Sequence, residues 1–149
     1  MSRVGLLDVN VLVALFDPEH VHHDVAHDWF ADRGRLEWAT CPFTEAGFVR
    51  VLSNPAYGGG AIRATDLVGR LRRFCRSGGH VFWPDGVSLL DESVFDVSHV
   101  AGHRQLTDIY LLGLAHTHGG CLATFDRSIP FRAVKGATAA SIEVIAPLG

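Results

Sequence analysis

The sequence predicts an α/β fold: a mainly parallel sheet covered by helices on both faces. Three observations lead there. Strand-like and helix-like segments alternate along the chain. The strand-like segments are unbroken apolar runs, such as Val4-Gly5-Leu6-Leu7 and Cys121-Leu122-Ala123, the pattern of strands buried on both faces. With 149 residues, 48% of them hydrophobic and 19% charged, the chain suits one compact domain with a single core.

Each element has a local reason. The first strand runs over 4–8, and a short helix follows over 11–16 until Asp17-Pro18 stops it. Residues 23–32 read as an amphipathic helix with Val25, Ala26, Trp29 and Phe30 on one face, ended by Gly34. A strand over 37–41 leads to a helix over 43–52, which turns Phe48, Val49 and Leu52 inward and ends at Asn54-Pro55. Tyr57-Gly58-Gly59-Gly60 reads as a flexible loop. Thr65-Asp66 opens a helix to about Arg76, closed by Ser77-Gly78-Gly79. A strand over 80–83 and a helix over 88–95 come next. Thr107 is expected to cap a helix over 108–117, ended by His118-Gly119-Gly120. Strands over 121–125 and 142–145 complete the sheet.

Composition narrows the function. Apolar runs are far shorter than the ~20 residues that span a bilayer, and Met1-Ser2-Arg3-Val4 leads straight into the first strand, so a cytoplasmic protein without membrane contact is expected. Cys41, Cys75 and Cys121 form no CxxC pair, which argues against a disulfide framework and a cysteine zinc site; Cys41 and Cys121 read as small buried hydrophobes. The formal net charge of −3 does not mark a general nucleic-acid binder. Twelve of the thirteen cations are Arg, which suits phosphate but is more simply what a GC-rich genome would produce.

Four acids stand where a carboxylate is hard to justify. Asp8 and Asp126 end apolar strands, while Glu45 and Asp108 fall in the first turns of helices. In an open α/β sheet these positions gather at the carboxyl ends of the strands, where the working crevice lies. Taken singly, Glu45 and Asp108 fit a helix-dipole role. Taken together, four converging carboxylates would repel one another unless a cation sat between them, which points to a divalent-metal site.

The residues around these acids resemble a known family. Leu7-Asp8-Val9-Asn10-Val11-Leu12-Val13-Ala14-Leu15 is similar to the first motif of PIN-domain nucleases, above all the VapC toxins of toxin–antitoxin pairs. Thr44-Glu45, Leu106-Thr107-Asp108-Ile109-Tyr110-Leu111-Leu112-Gly113-Leu114-Ala115 and Leu122-Ala123-Thr124-Phe125-Asp126-Arg127 resemble the second, third and fourth motifs, in the family's order. Gly102-His103-Arg104-Gln105 looks most like a mycobacterial-type subgroup. The resemblance implies a three-layer α/β/α PIN fold, with residues 1–149 forming one PIN domain. It implies a Mg²⁺- or Mn²⁺-dependent endoribonuclease, a hydrolase using one or two ions. It also implies a VapB-type antitoxin that blocks the site, and a homodimer. Asp8, Glu45, Asp108 and Asp126 carry over as metal-binding and catalytic acids, with Asn10, Thr124 and Thr44 as supporting groups. The donor types agree with this, since carboxylate oxygens suit hard cations that activate water toward phosphorus.

An acidic pocket needs basic groups nearby to hold RNA. Arg104, Arg127 and Arg132 lie close in sequence to Asp108 and Asp126. Arg70, Arg72, Arg73 and Arg76 share one helix, whose basic face reads equally as a phosphate track, an antitoxin contact or a solvated surface. Base preference is not legible. His23 and His27 have an i,i+4 zinc spacing, but Asp24 stands where the HExxH motif has Glu, so a polar helix start is the expected reading for His20, His22, His23 and His27. A catalytically silent PIN domain acting as an RNA- or protein-binding module is the main alternative, and the intact acid set speaks against it. A haloacid-dehalogenase-like phosphotransfer domain would want an acid where Asn10 stands, and a receiver domain would want a Lys at a late strand end, where Lys135 is not.

Overall fold

The computed structural model describes residues 3–34, 37–58 and 62–147. Met1 and Ser2, ahead of the first strand, and Gly59 and Gly60 of the expected glycine loop lie outside them. Five strands, β1 (Gly5–Leu7), β2 (Trp38–Thr40), β3 (His80–Phe82), β4 (Cys121–Thr124) and β5 (Ile142–Val144), form one sheet in the order β3-β2-β1-β4-β5. Every neighbouring pair is parallel, with Leu6 opposite both Ala39 and Leu122. The helices are α1 (Val9–Phe16), α2 (His23–Trp29), α3 (Pro42–Ser53), α4 (Ala64–Cys75) and α5 (Leu106–Thr117).

Successive strand residues point to opposite faces, and here both faces are apolar. Leu6, Ala39 and Leu122 pack with Ile109, Leu112 and the rest of α5. Leu7, Trp38 and Ala123 pack on the other side with Leu12 of α1, Ala26 of α2, Phe48 of α3 and Leu67 of α4. The result is the expected three-layer α/β/α architecture. Cys41 and Cys121 are both buried, as small hydrophobes should be. No helix among the described residues is long and apolar enough to cross a membrane.

Two glycines set close approaches between elements. A Cβ at Gly47 would stand 2.7 Å from a Val9 methyl, so α3 lies directly against the start of α1. A Cβ at Gly113 would collide with the Phe95 ring, which is pressed onto the α5 backbone.

The structure corrects three expected elements. Residues 88–95 form turns and not a helix. The Ser88 hydroxyl accepts from Leu90 N and the Asp91 carboxylate from Ser93 N, and such local bonds compete with helical ones. Phe95 then makes an antiparallel bridge to Val134. Thr107 lies inside α5 and does not cap it, because a 3₁₀ turn over His103–Gln105 feeds directly into the helix. The helix expected over 23–32 is α-helical only as far as Trp29 and continues as a π-helical segment, Phe30–Gly34.

Candidate functional site

Strand order reverses between β1 and β4: the chain lays β2 and β3 on one side of β1, then places β4 and β5 on the other. Such a switch point opens a crevice beyond the strand carboxyl ends. Asp8 directly follows β1, and Asp126 lies two residues beyond β4. Asp108 is the third residue of α5, and its carboxylate benefits from the positive end of the helix dipole. These three acids line one cavity of about 330 Å³ together with Asn10 and Thr124.

Thr124 ties two of the acids together. Its hydroxyl donates to Asp8 Oδ2 at 3.0 Å and accepts from the Asp126 backbone N–H at 3.1 Å. Asp126 Oδ1 accepts from both the N–H and the hydroxyl of Ser128. Asp8 is only 7% exposed. Its carboxyl is held above its ordinary pKa mainly by burial, with Asp126 adding repulsion and the Thr124 bond opposing. Asp108 is pushed up to about 7 by burial and then by the charges of Asp8 and Asp126. Asp8 and Asp108 are therefore both costly to charge where they stand, and a neighbouring positive charge would relieve that cost.

Glu45 is placed differently. It lines a separate groove between α3 and α4, with Val68, Leu71 and Arg72. Its Oε2 accepts from the Thr40 hydroxyl at 2.7 Å. Since that hydroxyl's hydrogen is committed to Glu45, the His80 Nε2–H donates to the Thr40 oxygen at 2.8 Å. Thus the cavity holds three of the four expected acids, and the fourth lines a different groove, in a bond of its own. Thr44, expected as a supporting group, is fully buried and spends its hydroxyl on Cys41, donating to the carbonyl and accepting from the N–H. This closes the first turn of α3, for which Pro42 also provides a favourable φ.

Arg104 and Arg127 are exposed and flank the cavity along the chain, one in the turn before α5 and the other next to Asp126. Arg73 and Arg76 are exposed on and just after α4. None of the four lines the acid cavity. Among the described residues, no group of three His, Cys, Asp or Glu side chains is already shaped around an ion. The zinc-spaced histidines serve the backbone: His23 Nδ1–H donates to Ala14 O and His27 Nε2–H to Leu15 O, both at 2.7 Å. They satisfy carbonyls in the last turn of α1 that have no intrahelical partner.

Sequence reasoning overlooked three lining residues. His20, His22 and Phe125 form an aromatic wall of the same cavity. The His22 and Phe125 rings stack at 4.5 Å with planes 28° apart. The signal was present in His20-Val21-His22 and in the Phe125 next to Asp126, but only the tertiary fold joins segments about a hundred residues apart.

Comparison with known proteins gives consistent results. The PIN domain family model matches residues 5–137. The chain is 45% identical over 134 residues to Ribonuclease VapC44 of Mycobacterium tuberculosis, covering 90% of this chain and 94% of the relative. It is 41% identical over 141 residues to Ribonuclease VapC39 of the same species, covering 95% and 99%. The crystal structure of VapC20 from M. tuberculosis, a sarcin–ricin loop cleaving toxin, superimposes with a TM-score of 0.58 at 10% identity, covering 89% of this chain and 97% of that one. That similarity supports the fold.

Proposed function

The chain belongs to the PIN-domain family, within its VapC ribonuclease group, and from this premise we propose that it is the toxin of a type II toxin–antitoxin pair, an endoribonuclease that hydrolyses RNA phosphodiester bonds. One observation carries the reading: Asp8, Asp108 and Asp126 line a single cavity at the sheet switch point, where burial, and then the charges of Asp8 and Asp126, push Asp108 up to about 7. Such a cluster suits a divalent cation. Its hard oxygen donors match Mg²⁺, with Mn²⁺ as a substitute.

Asp8, Asp108 and Asp126 would hold the ion, and Glu45 would join them on leaving Thr40. When bound, the ion lowers the pKa of water and offsets negative charge on phosphate. The protein's own part is positioning. Thr124 keeps Asp8 and Asp126 in register, and the start of α5 presents Asp108. Asn10, exposed in the first turn of α1 and lining the cavity, offers an amide to a phosphate or a water. Arg104 and Arg127, exposed and close in sequence to Asp108 and Asp126, would grip the RNA backbone around the cleaved bond.

The chain acts as one PIN domain in the cytoplasm, as a homodimer held in check by a VapB-type antitoxin. The test is RNA turnover by purified protein with Mg²⁺ or Mn²⁺ against EDTA, repeated with Asp8→Ala. Cleavage that EDTA abolishes and Asp8→Ala loses supports the reading. Undiminished cleavage by Asp8→Ala would sink the site, and no cleavage under any condition would favour a silent binding module.

A further inference from the structure

We propose that His20, His22 and Phe125 form a stacking platform that seats one nucleobase of single-stranded RNA beside the acid cavity, so that the adjoining phosphodiester lies over the carboxylates. The inference rests on the ribonuclease reading and adds how the substrate is gripped.

Phe125 lies between Thr124 and Asp126, so its ring is fixed relative to the acids by one short stretch of chain. His22 stacks on it at 4.5 Å, and His20 lies 6.2 Å from it at the same 28° inclination. The layer is preorganised, since His20 Nδ1 accepts from the His22 backbone N–H at 3.0 Å, which locks the turn and orients the ring. All three side chains are partly exposed while lining the cavity, so ring surface remains open to a ligand.

Chemistry selects the occupant. The carboxylates repel a phosphate chain, so affinity must come from beside them. A π-face offers a base stacking energy that costs no charge and tolerates any base, purines most with their larger faces. A paired base cannot reach such a platform, which favours unpaired RNA. His20 also lines an adjoining groove with Tyr57 and Arg70, where the guanidinium suits the next phosphate along the strand.

The test uses the full chain and a labelled, purine-rich, single-stranded oligoribonucleotide, intact or carrying abasic residues. Binding is followed by fluorescence anisotropy with Ca²⁺, and cleavage with Mg²⁺. Abasic residues beside the bound acid cavity should weaken wild-type binding about tenfold. His22→Ala should weaken binding of the intact oligomer about as much and lose discrimination against the abasic one, while His22→Phe should keep both affinity and discrimination. Equal wild-type binding of intact and abasic oligomers overturns the platform, as does full discrimination by a folded His22→Ala. If His22→Ala does not fold by circular dichroism, the wild-type abasic comparison alone decides. An abasic penalty in binding without Mg²⁺-dependent cleavage would uphold the platform and remove the ribonuclease reading instead.

Discussion

Two threonine–carboxylate pairs stand on either side of β1, built alike and surrounded differently. Thr124 ends β4 and donates to Asp8; Thr40 ends β2 and donates to Glu45. The first pair shares its cavity with Asp108 and Asp126, and burial together with these neighbours raises the cost of charging Asp8 and Asp108. The second pair has His80 on its far side, donating to the threonine oxygen, and completes a relay without another carboxylate. A local hydrogen bond is thus a poor indicator of function. What distinguishes the first pair is the uncompensated charge around it, the feature on which the proposed metal site rests.

The sharpest way to break that contrast is to remove a carboxylate from each side. Asp8→Ala and Asp126→Ala should each lower Mg²⁺-dependent cleavage by about a thousandfold or more, read as kcat/KM on an RNA the wild type cuts. Glu45→Gln can still accept from Thr40, so its local bond survives. A loss of about tenfold in the same assay would mean that Glu45 leaves Thr40 to serve the acids. Unchanged cleavage would confine the site to the three aspartates.

The electrostatic half of the comparison is open to a melting experiment in EDTA. Asp108 has a folded pKa of about 7 against 3.8 for the free group. Between these values the folded state binds more protons than the unfolded state, so this group's contribution to stability grows as pH falls. Asp108→Asn should therefore melt a few degrees above wild type at pH above about 7, with the gap closing as pH drops toward 3.8. Mg²⁺ should narrow the gap at high pH by stabilising the wild type. A gap that ignores pH would mean that neither burial nor the neighbouring acids raise Asp108.

The smallest expected effect lies outside the site. His27→Ala strips a donor from the Leu15 carbonyl and should cost about 1 kcal/mol in chemical denaturation, with cleavage retained. Zinc-dependent stability in the wild type would contradict the backbone role of His23 and His27.

Much of this molecule is readable along the chain because its information is local. Continuous apolar strands alternating with amphipathic helices specify a parallel sheet with two cores, since a strand buried on both faces has no polar side to show. Breakers such as Asp17-Pro18 and Asn54-Pro55 stop helices where they stand. The misreadings have local competitors. Ser88 and Asp91 bonded their own backbone in place of a helix, and a 3₁₀ turn displaced Thr107 from the cap.

The sequence by itself determined the fold class, the order of the five strands along the chain and the identity of the acids near the strand ends. Only the tertiary structure decided which of them share a cavity, because side-chain direction and burial depend on neighbours far away in sequence. It put Asp8 beside Asp126 through Thr124, turned Glu45 toward Thr40 and His80, used His23 and His27 on helix carbonyls, and laid His22 on Phe125. The charge repulsion that makes the aspartates informative exists only once folding has taken them out of water and placed them together.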